Sequence, residues 1–364
     1  MRKVVKIFAI AIAVVIVIVL AYAAYVFIDY YRLEDNMELT PEASSADLGQ
    51  VPVGEELTVT SWNIGFGAYT DRFSFFMDGG EYSRGFSEEI VSDTVKQMAY
   101  DLASFDSDFY LLQEVDIDSD RSYHLNQYDM MTEPFDKMAK LCEDMDKVFA
   151  QNYDSPYLFY PILSPHGKSK SGIVTLSDYV ISSSLRRSLP IQEDFAKLLD
   201  LDRCYSISRI PTDNGKELVL INFNLSAYTT DPSIGNQQLT MLYDDIIEEY
   251  EKGNYVVCGG DFNKDLLGNS SDIFGVSGED YSWAKAFPYD DVPEGITVIA
   301  PFDENNPVPS CRNADRPWDP ETNFQLTVDG FIISDNVKCI KSDAVDMQFA
   351  CSDHNPVYMN FVLE

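Results

Sequence analysis

The chain has 364 residues, 45% of them hydrophobic and 13% aromatic, which is enough apolar material to bury one large core. Its 60 acidic residues against 26 basic ones give a formal net charge of −34, which excludes broad electrostatic attraction to DNA or to an anionic lipid surface. The six cysteines include no Cys-x-x-Cys pair and there are only three histidines, so no zinc cluster is encoded.

In chain order, the first element is an uninterrupted apolar run over residues 7–28, long enough at about 1.5 Å per residue to cross a bilayer as a helix. Arg2, Lys3 and Lys6 precede it, and Asp29, Glu34 and Asp35 follow. This asymmetry predicts a single-pass cell-membrane anchor, residues 1–28, with its N-terminus in the cytoplasm and the body outside the cell. The alternative is a cleaved signal peptide, since Ala21-Tyr22-Ala23 has the small-x-small form of a cleavage site; the apolar run continues past it to Ile28 and favours the anchor. Residues 29–54, and 34–54 above all, are rich in Asp, Glu, Ser and Pro and read as a solvated stalk. Residues 55–364 contain nothing that resembles a linker and are expected to form one catalytic domain. Helix-like and strand-like stretches alternate along it, including a helix over 236–252 directly before the strand at Tyr255, which is an α/β layered pattern.

Several features along this body have two readings. Residues 70–85 combine Phe73, Phe75, Phe76 and Tyr82 with Arg72 and Arg84, and suit either a loop touching an apolar or ring-bearing leaving group or a packed structural hairpin. Lys168, Lys170 and Ser171, with Arg186, Arg187, Arg203 and Arg209 nearby in sequence, are candidates for a local positive field. Cys258 reads as a core thiol, while Cys339 and Cys351 lie on neighbouring C-terminal segments and form a candidate disulfide.

Four apolar strands end in polar clusters. Residues 57–62 end in Asn63, and 108–112 in Gln113-Glu114-Val115-Asp116. Tyr255-Val256-Val257-Cys258 leads into Gly259-Gly260-Asp261-Phe262-Asn263, and the strand 328–333, which contains Asp329, is followed by Cys351-Ser352-Asp353-His354-Asn355. Side chains two apart on an extended chain point the same way, so Asp261 and Asn263 can serve one site, and the two glycines are expected to leave room for a ligand at the backbone. A carboxylate beside an amide is what a hydrolytic site needs to hold water against a phosphoryl group. Each cluster taken alone is equally a set of turn formers.

In this order, Trp62-Asn63, Gln113-Glu114, Gly260-Asp261-Phe262-Asn263, Asp329 and Ser352-Asp353-His354 make the chain resemble the endonuclease/exonuclease/phosphatase superfamily, the DNase I-like proteins, over roughly residues 57–363. Phe75-Phe76-Met77-Asp78-Gly79-Gly80 and Gln113-Glu114-Val115-Asp116-Ile117-Asp118 are similar to stretches of bacterial membrane-anchored members. The resemblance implies a four-layer α/β sandwich, two packed mixed β-sheets flanked by helices, behind the N-terminal transmembrane helix. It also implies a magnesium- or manganese-dependent phosphoesterase that cleaves phosphodiesters by metal-assisted attack of water, with a phospholipid head group or nucleic acid as substrate.

The same resemblance distributes the roles. Glu114 is the first metal ligand, with Asn63 and Asp353 around the same ion or its waters. Asp261 orients or deprotonates the attacking water, and Asn263 fixes it and contacts phosphate. Asp329 accepts a ring N–H of His354, keeping the imidazole charged towards the phosphoryl oxygens. Four carboxylates brought together at Glu114, Asp261, Asp329 and Asp353 repel one another unless a cation sits among them, and hard oxygen donors select magnesium or manganese. One position departs from the pattern. Many phosphodiesterases of the superfamily carry a second histidine where this chain has Asn224, as exonuclease III-type members also have asparagine, and an amide N–H still donates to a phosphate oxygen. Because the change removes a cation, the alternative reading is a binding or scaffold protein that kept the fold and lost turnover. His124 and His166, outside every motif, are expected to be structural.

Overall fold

The computed structural model describes residues 2–132, 144–192, 202–227, 231, 233–279, 281 and 283–364. In chain order the first elements are α1 (Arg2–Asp29), β1 (Met37–Leu39), β2 (Glu56–Asn63), α2 (Glu88–Phe105), β3 (Phe109–Asp116), α3 (Gln127–Thr132), β4 (Asp146–Asp154) and β5 (Lys170–Ser177). Next come β6 (Ser183–Ser188), β7 (Cys204–Pro211), β8 (Glu217–Asn224), α4 (Ser233–Glu251), β9 (Tyr255–Asp261) and α5 (Ser270–Phe274). The last are β10 (Ile296–Ile299), β11 (Cys311–Arg312), β12 (Gln325–Leu326), β13 (Asp329–Ser334), β14 (Val337–Ala344) and β15 (Val357–Leu363).

The central strands are apolar at nearly every position because both of their faces are covered. On β3, Phe109 and Leu111 enter a core shared with Leu220 of β8, Val257 of β9, Phe331 of β13 and Phe361 of β15. The alternate residues Tyr110 and Leu112 face the other way, under Val91, Val95 and Met98 of α2. On β8, Val219 and Ile221 likewise turn outward beneath Leu239, Leu242 and Ile246 of α4. The result is four layers, helix, sheet, sheet and helix. The seven-stranded sheet has the order β1-β6-β7-β8-β9-β13-β10, the six-stranded sheet β14-β15-β2-β3-β5-β4, and β11-β12 form a small ribbon. Each large side chain fully buried between layers contributes roughly 1.5–3 kcal/mol. The start of α2 is set locally: Ser87 accepts from the Ile90 N–H, and Glu88 and Glu89 occupy the first turn, where the helix dipole favours negative charge. The α1 helix is long and apolar enough to cross a membrane, and Val4, Ile7, Phe8 and Ile10 among its residues are exposed.

Two expectations are corrected here. The acidic segment read as a solvated stalk lies along the body. Met37, Glu38 and Leu39 pair with Arg186, Leu185 and Ser184 at the edge of the seven-stranded sheet, Glu42 bridges to Lys147, and Val51 is fully buried. The scattered apolar residues find cover at a sheet edge, and one of the acids, Asp35, pairs with Arg187, so average composition misrepresented the segment. Cys339 and Cys351 do not form a disulfide: both are free, as are Cys204, Cys258 and Cys311. Cys258 is a buried core residue.

Candidate active site

The polar clusters converge because the strands that carry them end at one rim. β2 and β3 run parallel with Asn63 opposite Gln113, and β8 and β9 run parallel with Asn224 opposite Asp261. β13 runs antiparallel to β9 and begins at that rim, so Asp329 pairs with Asp261 directly. A register shift between Leu112 and Val115 re-aims Glu114, which takes the left-handed backbone conformation with φ 57°. For a residue with a Cβ this is strained, and bulges of this kind recur beside functional sites.

The glycines before Asp261 serve packing and not ligand approach. A Cβ on Gly259 would lie 2.8 Å from Leu111 Cδ1 and 2.9 Å from Phe331 Cδ1, between the sheets. One on Gly260, whose φ is +156°, would lie 2.0 Å from the Phe223 carbonyl oxygen. The consequence for Asp261 is a tightly fixed strand end. Its Oδ1 accepts from the Asn263 N–H at 2.8 Å, and its Oδ2 accepts from Asn263 Nδ2 at 3.0 Å and from Asn63 Nδ2 at 3.2 Å. Burial, with Asp329 adding like charge, still pushes its carboxyl up to about 7.

Asn63 also donates to Glu114 Oε1 at 3.1 Å, while its own oxygen accepts from the Gly65 N–H at 3.0 Å, so its amide bridges two carboxylates. Across the rim, His354 Nδ1 lies 2.8 Å from Asp329 Oδ2, which also accepts from Ser310 Oγ at 2.7 Å. Burial opposes charge on this imidazole, but Asp329 outweighs it and holds the pKa well above the ordinary histidine value. The opposite ring nitrogen, Nε2, is 3.6 Å from Cys311 Sγ. Asp261, Asp329 and His354 form a buried group whose polar atoms lie within 4.8 Å of one another. Asp353 is half-buried beside them, and desolvation pushes it up to about 6, with Glu114 contributing.

This donor set fits a hard divalent cation. The buried Asp329 Oδ1 has no hydrogen-bond partner, and two neighbouring carboxyls are raised by burial and like charge, which a cation would relieve. The donors at hand are carboxylate oxygens, the type that magnesium and manganese prefer.

At the departure from the pattern, Asn224 is fully buried. Its oxygen accepts from Arg203 Nη1, and Asn263 Nδ2 approaches it at 3.4 Å. Asn224 Nδ2 and Arg203 Nε are both buried without a partner. A buried guanidinium thus contacts the Asn224 amide. Of the basic residues singled out by sequence, Arg203 alone joins this network. Lys168 pairs with Asp29 and Asp154, Arg186 with backbone carbonyls, Arg187 with Asp35 and Asp245, and Arg209 with Glu217 and Glu249.

Sequence reasoning missed the supports behind the rim. Gln113 Nε2 donates to Asn222 Oδ1 at 2.8 Å, tying the two sheets together, and Ser352 Oγ donates to the Asn63 carbonyl at 2.8 Å. Trp62 Nε1 donates to the His354 carbonyl at 2.9 Å, and Ser310 holds Asp329. Ser310 sits in no motif and had no signal; Gln113, Ser352 and Trp62 lie inside the motifs but looked like spacers. The aromatic loop over 70–85 is mainly packed hairpin: Phe73 is fully buried, stacks on Phe75 and meets Tyr69 and Phe86 edge-to-face. His166 is buried with Nδ1 on the Ser83 carbonyl, and burial takes its pKa down to about 4; His124 is exposed beside Asp118 and Asp120.

The profile of the Endonuclease/Exonuclease/phosphatase family matches residues 60–354. Among solved structures, an endonuclease/exonuclease/phosphatase from Beutenbergia cavernae DSM 12333 superposes with a TM-score of 0.54 at 16% identity, covering 85% of this chain and 72% of that one. A family protein from Leptotrichia buccalis C-1013-b gives 0.52 at 15% identity, covering 84% and 99%. D. rerio TDP2 complexed with single strand DNA product gives 0.50 at 14% identity, covering 84% and 99%. These likenesses establish a shared fold. No curated protein matches the chain.

Proposed function

Since the chain belongs to the endonuclease/exonuclease/phosphatase family, whose members act on phosphoester bonds, we propose that it is a divalent-metal-dependent phosphodiesterase. The observation that carries this reading is the three-donor hold on Asp261 beside the Asp329–His354 pair. Asp261 accepts the proton of the attacking water as the new P–O bond forms and the ester P–O bond breaks, the leaving oxygen taking a proton from solvent to depart as the alcohol. Asn263 and Asn63 fix its orientation. His354, kept charged by Asp329, supplies positive charge on one side of a phosphoryl group, and the Asn224 amide with the Arg203 guanidinium supplies donors on the opposite side. Glu114 and Asp353, with Asn63 holding the Glu114 carboxylate or an ion's waters, would hold magnesium or manganese, which supplies neutralisation of the phosphoryl charge when bound.

In the same reading, α1 anchors the body at the outer face of a cell membrane, with Arg2, Lys3 and Lys6 on the cytoplasmic side. Two phosphodiesters are available there, lipid head groups and extracellular nucleic acid, and a charge of −34 on a tethered protein favours the lipid. The test is hydrolysis of bis-p-nitrophenyl phosphate, plasmid DNA and sphingomyelin by the full chain in detergent, with magnesium, manganese or EDTA. Turnover that EDTA abolishes is expected. No turnover on any substrate with either metal would favour the binding or scaffold alternative that Asn224 motivates.

A further inference from the structure

We propose that the apolar tip over residues 159–163 inserts into the same bilayer that α1 crosses, giving the body a second membrane contact. The tip carries no charge, and its apolar side chains are exposed: Phe159 by 56%, Tyr160 by 69%, Ile162 by 84% and Leu163 by 99%. Apolar side chains this exposed and this close together mark an interaction surface. The tip is also pinned, because Leu158 and Gly167 pair at its base and Ser83 Oγ donates to the Ser164 carbonyl.

Its position relative to α1 identifies the lipid surface as the occupant. The Phe159 ring packs edge-on against Tyr22 of α1 at 5.1 Å, Tyr22 Oη donates to the Tyr157 carbonyl at 3.0 Å, and the Tyr157 N–H donates to Tyr25 Oη at 3.0 Å. A hydrocarbon core of ~30 Å needs about 20 helical residues. Counted from Ile7, just past Lys6, that length ends near Val26, so Tyr22 lies about 6 Å inside the far boundary at 1.5 Å per residue. Helix tilt lengthens the stretch required and places Tyr22 deeper still. A tip resting on Tyr22 therefore sits at the junction of head groups and acyl chains, where aromatic rings are favoured. From there Tyr160 reaches Phe76 at 5.8 Å and Phe76 reaches Phe75 at 4.9 Å, so the tip is continuous with the aromatic hairpin over residues 70–85.

This inference rests on the reading of α1 as a membrane span, and the experiment separates the two. The full chain is reconstituted into phosphatidylcholine vesicles with or without brominated acyl chains, and Leu163→Trp is compared with Lys338→Trp, on β14 at the opposite edge of the six-stranded sheet. Quenching of the added emission in Leu163→Trp alone is expected. Equal quenching in the two variants overturns the insertion, whereas release of the wild type from vesicles by alkaline carbonate overturns the anchor itself. As a second readout, Leu163→Asp should lower hydrolysis of sphingomyelin in vesicles by roughly tenfold, as a charge at that depth demands, and leave soluble bis-p-nitrophenyl phosphate unchanged. An equal fall on both substrates would make the tip a structural element of the site, and no fall on either would leave it without a membrane role.

Discussion

The strands β7, β8 and β9 carry charge at both of their ends, and the two ends have opposite electrostatics. At the end far from the rim every partner is present. Arg209 donates to Glu217 at 2.8 Å and to both oxygens of Glu249 at 2.6 and 2.9 Å, while Lys252 and Asn254 donate to the same carboxylate. Burial works against the Glu249 charge, yet these bonds outweigh it and take its pKa down to about 2. At the rim, Arg203, Asn224 and Asp329 leave buried atoms unpartnered, and burial pushes Asp261 up to about 7. The same strands thus hold one charge set that is complete as folded and one that is complete only with something bound. Charge satisfied internally serves stability, and charge left unsatisfied serves chemistry.

The largest expected break in that contrast comes from Asp261→Asn, which keeps the size of the side chain but cannot accept the proton of water. Turnover should fall by ~10²-fold or more with KM little changed, the scale of general base catalysis. Retention of most of the turnover in steady-state kinetics would reduce Asp261 to a strand-end residue. Next in size is Arg203→Met, which removes the guanidinium that contacts the Asn224 amide. A loss of roughly ten- to a hundredfold in kcat is expected, with unchanged thermal stability, because one charged donor to a transition-state oxygen is worth about that much. A drop in Tm with kcat intact would make Arg203 a structural prop for Asn224.

Metal binding sharpens the comparison without any turnover assay. Magnesium should raise the Tm of the wild type, by up to about 2.7 kcal/mol of added stability at a hundred times Kd, and Glu114→Gln should reduce that gain. Identical shifts in the two proteins would take Glu114 out of the metal site.

The smallest effect belongs to the far end. Glu249 has a folded pKa below its unfolded value, so its contribution is fully present above about pH 4.5 and is lost as pH falls through about 2. Unfolding free energies of wild type and Glu249→Gln from urea titration should differ at pH 7 by on the order of 1–2 kcal/mol, discounted because the Arg209 and Lys252 partners are partly exposed, and converge towards pH 2. A difference constant over that range would mean that Glu249 acts through packing and not through charge.

Residue order alone determined the layered α/β fold, the span-length apolar helix and the identity of the rim residues, because alternation, strand length and local motifs are properties of short stretches of chain. Asp261 and Asn263 were legible for that reason, and so was the pairing of His354 with Asp329 once the resemblance was noticed. The contact of Arg203 was not, since six basic candidates look alike until the register of β7 against β8 brings one of them to Asn224, while Lys168, Arg186, Arg187 and Arg209 find acidic or backbone partners. The glycines before Asp261 read as room for a ligand and proved to be room for Leu111, Phe331 and the Phe223 carbonyl. The segment 34–54 read as a stalk because composition averages over residues, whereas a sheet edge selects Met37, Leu39 and Val51 one at a time. Tertiary structure decides these points because partners distant in sequence fix which charges are neutralised, which clefts are filled and which apolar groups find cover.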